Sequence, residues 1–386
     1  MVTPWLRTEF QKEPTGPDGQ PLPPLWHASF ACKVKLRPGE EWLKMKWGFN
    51  ASLLIEEALD RARLFVESQY STDPELNRRA GDYRTLALRC RVKPDEGLAL
   101  AIMGKVCAGS ESEARKKARD YCREICSVFP QDFVTVPAES PEEYRDYACD
   151  DILQPGANVA QVKRFEKRLA ASDGVQYVHG LWQTSARSHE QVWRALAGLD
   201  YPAMFSITMR PIAIFPFEQQ IFETSKKPIE SPGYDGWKFP ITYQDWIEAF
   251  VNKRTAPLKR FFYLQIHFAS PSEIDENILR DIGTAFTREA AGQPAPGFKA
   301  LHPAPERTGL WADCLIRLDL TPPESEYAPH HLSDIADLDE AAAVFRYPYP
   351  NPDTGLPGVT FETVQVAHPK GPDSQDPNQP DQARAL

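Results

Sequence analysis

The sequence predicts an α+β protein. Polar and apolar residues alternate over Tyr83–Val92, and the turn Pro94–Gly97 leads into an apolar run at Leu98–Cys107, a pattern typical of a β-hairpin. A helix with a serine-led start at Ser110 follows directly, and the order strand, strand, helix recurs over 203–288. A helical bundle is disfavoured because 36 of the 386 residues are proline, above the average usage of ~5%, and proline breaks helices.

The chain divides into five predicted segments. They are an extended proline-rich arm (1–25), a first α+β module (26–150), a second α+β module (151–320), a C-terminal helix and linker (321–364) and a disordered tail (365–386). A hairpin backed by a helix buries one sheet face, so each module is predicted to be a sheet covered by helices. The prolines concentrate in the connectors between and around these modules.

In the first module, a strand at Trp26–Leu36 precedes a helix at Ser52–Ser68, where apolar residues recur at helical spacing. After the hairpin, Ser110 and Glu113 have the spacing of a capping box, which satisfies free amides at a helix start. The remaining elements are the helix that ends at Phe129-Pro130, a short strand at Phe133–Val136 and an acidic helix at Pro141–Tyr147.

The order strand, strand, helix recurs in the second module. There a Pro/Gly-rich insertion over about 223–240 separates the strand Ala203–Ile214 from the strand Leu258–Ala269. Its predicted strands are Val175–Trp182, Ala203–Ile214, Leu258–Ala269 and Leu310–Leu320. Its predicted helices are His189–Leu199, Tyr243–Lys253 and Ser272–Arg288, and a further helix is predicted at Ser333–Phe345.

Charge and composition restrict the class of protein. The formal charge of −10 disfavours a free-standing nucleic-acid binder, and no apolar run approaches the ~20 residues that span a bilayer. Seven cysteines without a Cys-x-x-Cys pair do not describe a disulfide framework. Residues 1–25 lack the apolar core of a secretory signal, so we expect a cytoplasmic protein with reduced thiols and no membrane insertion.

No motif for a phosphate-binding loop or a nucleophile is present in the sequence. The nearest match to a Walker A loop is Gly292–Ala300, in which the lysine is displaced by one position and two prolines remove amides that the loop needs. No Gly-x-Ser-x-Gly elbow occurs. We therefore predict no catalytic residue and no cofactor, and an enzyme is the less favoured interpretation.

Two groups of residues have the chemistry of metal ligands. His330 and His331 precede Asp334 and Asp337, but neighbouring residues rarely point the same way, and a loop that leads into a helix N-cap is favoured. Cys122 and Cys126 lie one helical turn apart. Because Cys122 falls on the apolar stripe of its helix, core packing is favoured over metal or redox chemistry. No metal site is predicted.

Two basic runs are the electrostatic candidates. The first places candidate phosphate contacts on one helix: Arg115, Lys116, Lys117, Arg119 and Arg123. The second run, Lys163, Arg164, Lys167 and Arg168, has a spacing that would gather charge on one side of a helix. Either could bind phosphates with a steep salt dependence, although a solvated helix face is favoured for an acidic chain.

The order of motifs resembles a known family. The strand pair and helix of 86–133 begin with LALRCRV and continue through Ser-x-x-Glu-Ala to Phe-Pro, and a second such unit spans MFSITMRPIAI and FFYLQIHFASPSEIDENILRDIGTAFT. Asp339–Pro348 (DEAAAVFRYP) and Leu356–Gly358 (LPG) follow. This arrangement resembles the N-terminal, non-motor half of HerA-like and conjugative type IV secretion ATPases over roughly residues 80–360.

The resemblance implies a partner. In the family the last segment leads into a motor domain, and the candidate motor-facing residues here are Phe345, Arg346, Pro348, Pro357 and Gly358. No Walker A or Walker B motif follows them. The resemblance therefore implies a non-catalytic accessory subunit that docks onto a separately encoded HerA-like DNA-translocating ATPase or another protein complex, in a defence or DNA-transfer system. The alternatives are a nucleic-acid-binding module that uses basic helices, and a hydrolase or nuclease with a dispersed site.

Overall fold

A computed structural model describes residues 3–12, 24–37, 49–70, 84–171, 174–183, 186–225, 243–255, 260–287, 295–323, 331–349 and 355–359. The strands are β1 (Arg7–Gln11), β2 (Leu25–Leu36), β3 (Arg84–Lys93), β4 (Gly97–Ala108), β5 (Phe133–Pro137), β6 (Asn158–Arg164), β7 (Glu166–Ala171), β8 (Gly174–His179), β9 (Ala203–Ile212), β10 (Phe261–Ser270), β11 (Phe298–Leu301) and β12 (Ile335–Asp337). The helices are α1 (Phe49–Ser68), α2 (Glu111–Val128), α3 (Pro141–Ala148), α4 (Ala186–Ala197), α5 (Pro216–Ser225), α6 (Gln244–Thr255), α7 (Glu276–Thr287), α8 (Thr308–Arg317) and α9 (Leu338–Val344). The chain is α+β, as the sequence predicts.

Ten of these strands form one antiparallel sheet in the order β1-β2-β4-β3-β9-β10-β6-β11, with β5 paired to β2 and β12 paired to β10. On each side of the β3–β9 pair, which we call the seam, the chain follows the order strand, helix, strand, strand, helix, strand, once the hairpin β7–β8 and the helices α5 and α6 are set aside as insertions in the second half. In both halves the fourth strand pairs with the first, the first with the third and the third with the second. The seam makes the sheet continuous across the two halves. That each half is a separate folding module therefore stays a prediction.

One face of the sheet packs against α1, α2, α4 and α7. Helix α2 begins where the sequence predicts, because the hydroxyl of its N-cap Ser110 accepts a hydrogen bond from the Glu113 amide at 3.3 Å. Its buried Tyr121 meets Phe30 of β2 edge-to-face at 5.6 Å. In the second half, Trp193 of α4 packs edge-to-face against a β9 side chain. These contacts form one apolar core that crosses the seam.

The other face carries polar side chains and is also covered, by α3, α8 and residues 318–323 and 331–337. Side chains that alternate with apolar residues in the sequence, such as Arg89 on β3 and His267 on β10, are buried there. The expectation that each sheet buries one face is therefore wrong for the central strands. Tyr144 of α3 shares a 2.6 Å hydrogen bond with Ser29, and Trp311 of α8 meets His267 edge-on at 5.9 Å.

Arg89 joins this cover to the seam. Its guanidinium donates one hydrogen bond to the Ala148 carbonyl and one to the Leu315 carbonyl. These carbonyls lie at the C-terminal ends of α3 and α8, where unpaired carbonyls carry partial negative charge. Burial lowers the pKa of Arg89 from its ordinary value, and the two helix ends offset the cost of removing the cation from water.

Two sequence-based predictions of elements are wrong. Residues 310–320 form most of helix α8 and not a strand, because the buried side chains Trp311, Cys314 and Leu315 recur at helical spacing. The basic run at 163–168 lies on β6 and β7 and not on a helix. Lys163 and Arg164 are buried there, and a local charge pattern cannot reveal the distant partner of Arg164, which is Glu340.

Several other predictions have a more limited outcome. The helix predicted at Ser333–Phe345 is confirmed only from Leu338 onward, since a 3-10 turn and β12 precede it. Arg7–Gln11, within the predicted arm, is an edge strand paired with β2. The predicted tail at 365–386 and most of the insertion lie outside the described residues. Within the described part, no helix has the length and apolar character needed to cross a membrane.

Replacing Arg89 with Met should lower the free energy of unfolding by about 3 kcal/mol, because two charge-assisted hydrogen bonds are lost and the Ala148 carbonyl loses its donor. Arg84→Met on the same strand is the matched control. Its side chain is 44% exposed and pairs with Glu124, so its loss should cost at most about 1 kcal/mol. Urea unfolding measures both values, and equal losses in the two variants would contradict the role of Arg89.

Candidate functional site

The segment that carries the family resemblance connects the two halves of the molecule. We call residues 335–349 and 355–359 the C-terminal bridge. It begins as β12, which pairs with β10 in the second half, and continues through α9, which packs beside α1 of the first half. Its last described residues lie at the turn between β3 and β4. The bridge therefore contacts both halves and ends on the first.

A buried ion-pair network anchors the bridge in the second half. Glu340 is fully buried between Arg164 of β6, at 2.8 Å, and Arg254 of α6, at 2.5 Å. A capping box orients this carboxylate, since Asp337 accepts from the Glu340 amide and Glu340 accepts from the Asp337 amide. Burial disfavours the charged form of Glu340, but the two guanidinium groups outweigh it, and its pKa lies below the ordinary value.

Aromatic packing and a close backbone approach anchor the bridge in the first half. The Tyr347 ring packs against Phe129 and Phe133 at 5.4 Å, and its hydroxyl donates to the Ala101 carbonyl at 2.9 Å. The Leu98 amide donates to the carbonyl of Pro357 at 2.8 Å. This approach requires glycine at 97, where φ is +88° and a Cβ would lie 2.1 Å from the Pro357 oxygen.

The candidate motor-facing residues separate into two groups. Phe345, Arg346 and Pro348 are buried inside the molecule, whereas Pro357 and Gly358 are exposed. The exposed pair lies against the β3–β4 turn, beside the exposed Asp95 and Glu96. We call Asp95, Glu96, Pro357 and Gly358 the hairpin-turn patch. Pro357 and Gly358 of this patch are the candidate motor-facing residues that a partner could contact.

The candidate phosphate contacts on α2 are mostly paired with acids of the same helix. Arg115 pairs with Glu111 at 2.9 Å and Lys117 with Glu113 at 3.2 Å, and Arg123 pairs with Asp120. Lys116 and Arg119 are exposed, and no carboxylate of the described residues pairs with them. The helix surface is therefore of mixed charge, with these two cations available.

A groove between the N-terminal residues and α2 adds a cation that the sequence did not indicate. Its volume is about 500 Å³, and its lining includes Arg7, Arg115, Arg119 and Glu139. We call it the arginine groove. Arg7 pairs with Asp150 and lies over the Tyr144 ring. Because residues 1–25 show no periodic pattern, only the pairing of β1 with β2 reveals that Arg7 lies here.

The second basic run cannot present its charges as a group. Lys163 pairs with Glu166 at 3.1 Å, with 3% and 4% of the two side chains exposed, and Arg164 belongs to the buried network around Glu340. Both side chains are therefore committed to internal carboxylates. Lys167 and Arg168 lie on β7, outside the main sheet. The proposed cluster on one helix face is not formed.

The histidine and aspartate residues near 331 form an internal network. His331 shares a 2.8 Å contact with Asp334, whose other neighbour is the amide of Gln265 at 2.8 Å. His267 contacts Thr321 at 3.0 Å, and burial lowers its pKa to about 3, so the ring stays neutral. The network ties the segment 331–337 to β10. Asp337 is the N-cap of α9, but the interpretation of this stretch as a surface loop is wrong, because His331, Asp334 and Asp337 are buried.

Comparison with known proteins adds no relative. No protein-family model matches the chain, and no curated protein matches it. The HerA-like resemblance therefore stays a prediction that rests on the motifs of the sequence.

Replacing Glu340 with Gln should lower the free energy of unfolding by about 3–5 kcal/mol, because two buried guanidinium groups lose their counter-charge. Asp339→Asn is the matched control, since its side chain is 60% exposed and its ion pair with Arg63 contributes at most about 1 kcal/mol.

The folded pKa of Glu340 lies below 4.5, so its contribution is complete above that pH and is lost as the pH falls through the folded pKa. Chemical denaturation from pH 7 downward should show the difference between wild type and Glu340→Gln narrowing in acid. A constant difference would contradict the ion pair.

Proposed function

We propose that this chain is a non-catalytic accessory subunit that docks onto a separately encoded HerA-like DNA-translocating ATPase, in a defence or DNA-transfer system. The observation that carries the proposal is the path of the C-terminal bridge. It is fixed by Glu340 in one half and by Tyr347 in the other, and it reaches the surface at Pro357 and Gly358. In the family that the sequence resembles, the equivalent segment leads into the motor domain.

The hairpin-turn patch has the properties of a preformed contact surface. The Leu98–Pro357 hydrogen bond and the close approach of Gly97 and Gly358 hold two chain segments together. A surface that is ordered before association loses less conformational entropy on binding, which favours affinity. Glu96 pairs with Lys93 at 3.7 Å, and Asp95 leaves the edge of the patch with a net negative charge, so the complementary partner surface would be basic.

The double variant Glu96→Arg/Pro357→Arg should weaken binding to the P-loop ATPase encoded beside this chain at least ~10-fold, a loss of about 1.4 kcal/mol. Both side chains are exposed, so the thermal midpoint of the variant should stay close to that of the wild type. Glu223→Lys on α5 is the matched control of charge, far from the patch in the topology. Co-purification followed by calorimetric titration measures the effect, and ATP hydrolysis should require the partner. Unchanged affinity in the double variant, or hydrolysis by the isolated chain, would contradict the proposal.

The arginine groove favours a second candidate function, the binding of nucleic-acid phosphates. Arg119 is exposed and lines the groove with Arg7 and Arg115, and the exposed Lys116 is the next residue after Arg115 on α2. The net charge of −10 and the acid partners on α2 oppose this function. Phosphate binding at the groove is therefore the less favoured function. It would depend on attraction by the nearby cations, because the net charge of the chain repels phosphates.

Replacing both Lys116 and Arg119 with Glu should abolish salt-sensitive binding to a single-stranded oligonucleotide, if the groove binds phosphates. In wild type the logarithm of the affinity should fall linearly with the logarithm of salt, with a slope near −0.7 for each phosphate neutralised. Arg280→Glu, an exposed arginine on α7, is the control. Fluorescence anisotropy across a salt series measures the slope. Binding that is independent of salt, or equal in the two variants, would exclude the groove.

A further inference from the structure

Three cysteines from two different elements converge beneath helix α2. Their sulfur atoms, from Cys32, Cys122 and Cys126, all lie within 4.8 Å of one another, and the Cys32 and Cys122 sulfurs are 3.8 Å apart. We call these residues the cysteine cluster. Cys32 and Cys122 are buried, and Cys126 is half-buried. The other four cysteines do not join this group.

The fold itself positions the cluster. Cys122 and Cys126 occupy adjacent turns of α2 and lie on the side that faces the sheet, because residues four apart share a helix face. Cys32 projects from β2 toward that face. Tyr121 and Ile125, both buried, hold the helix against the sheet. Two rigid elements therefore present three sulfur ligands with little freedom to disperse.

The distances fit coordination of a thiophilic cation. Zinc binds cysteine sulfur at ~2.3 Å, and tetrahedral geometry at that length places two sulfurs ~3.8 Å apart. The Cys32–Cys122 separation of 3.8 Å equals this value, and Cys126 needs to move by less than ~1 Å from the limit of 4.8 Å. We propose that Cys32, Cys122 and Cys126 form a three-thiolate site for a thiophilic divalent cation of the zinc class. Water, or the hydroxyl of Thr135, would take the fourth position.

The electrostatics of the cluster are compatible with this role. Hydrogen bonds from the Cys122 and Cys32 thiols, together with one from Thr135, lower the pKa of Cys126. The pKa of Cys32 is raised, chiefly because its thiol donates to its two neighbours. Binding of a divalent cation would displace the thiol protons to solvent and leave three metal–sulfur bonds with one net negative charge.

Core packing is the competing explanation, and the sequence favours it for Cys122. Packing accounts for the burial of Cys32 and Cys122, because a free thiol behaves as a small apolar group. Cys126 is half-buried and packs against the rim of the same core, so packing accounts for its burial but not for the convergence of its sulfur on the other two. That position also gives the cluster a route to solvent, which a cation needs to enter.

Cobalt(II) is the spectroscopic probe for the site. The reduced full-length chain should bind one equivalent of Co²⁺ with a thiolate-to-metal charge-transfer band, and Zn²⁺ should displace it. Cys126→Ala should weaken binding by more than ~100-fold, since even the loss of an outer-shell partner reaches that range. Cys314→Ala, another buried cysteine, is the matched control and should bind like wild type. Thermal unfolding without metal checks that both variants fold.

Three results would overturn the proposal. They are the absence of the charge-transfer band in the reduced wild type, an unchanged band in Cys126→Ala, and loss of the band in Cys314→Ala. A Cys32–Cys122 disulfide that forms in air, in a chain that does not bind Co²⁺ when reduced, would replace the metal site with a thiol redox pair. As an independent readout, Zn²⁺ should raise the thermal midpoint of wild type and leave that of Cys126→Ala unchanged.

Discussion

Burial of both faces of the β3–β9 seam is the constraint on which the rest of the structure depends. The two strands join the halves into one sheet, with Arg89 opposite Ser206 in the register. A cation at such a position is costly to bury unless its donors are satisfied. The C-terminal ends of α3 and α8 meet this need. In the chain, α3 precedes β6 and α8 follows β11. One side chain of the seam thereby contacts both helices of the covering layer.

A buried charge with its ion-pair partners also fixes the position of the C-terminal bridge. Its buried Arg–Glu–Arg contact adds less net stability than its geometry suggests, because desolvation offsets much of the attraction. Its main effect is specificity of position, since any displacement of α9 would leave buried charges unpaired. Through this anchor and the packing of Tyr347, the hairpin-turn patch is held in one arrangement. The proposed docking function depends on that rigidity.

Local sequence signals predicted the parts of the fold that local interactions determine. The hairpin of β3 and β4 and the Ser110 cap of α2 were predictable because alternation, turn residues and capping chemistry lie within a few positions of each other. Helix α8 was assigned wrongly because a short apolar run satisfies both strand and helix patterns. The basic run that begins at Lys163 was predicted wrongly for a different reason: residues 158–164 pair with β10 and β11, and this pairing and the contact of Arg164 with Glu340 are both long-range.

Prediction of the candidate sites was limited in the same way, because local patterns do not reveal contacts between residues far apart in the sequence. Helical spacing revealed Cys122 and Cys126, but Cys32 joins them only through the packing of α2 on β2. The motif around Glu340 was visible in the sequence, whereas its contacts with Arg164 and Arg254 required the fold. Arg89 reads as an alternating polar residue on a strand, and its bond to Leu315 spans most of the chain. Long-range polar contacts of this kind have no local signature.

Native-state hydrogen exchange tests the central claim most directly, because it reports the opening free energy of each strand in the intact chain. If the seam and its cover make the halves one cooperative body, the slowest amides of β3, β4, β9 and β10 should exchange with the same free energy, equal to that of global unfolding. A second half that opens several kcal/mol below the first would show two independent units, and it would contradict the role assigned to the seam.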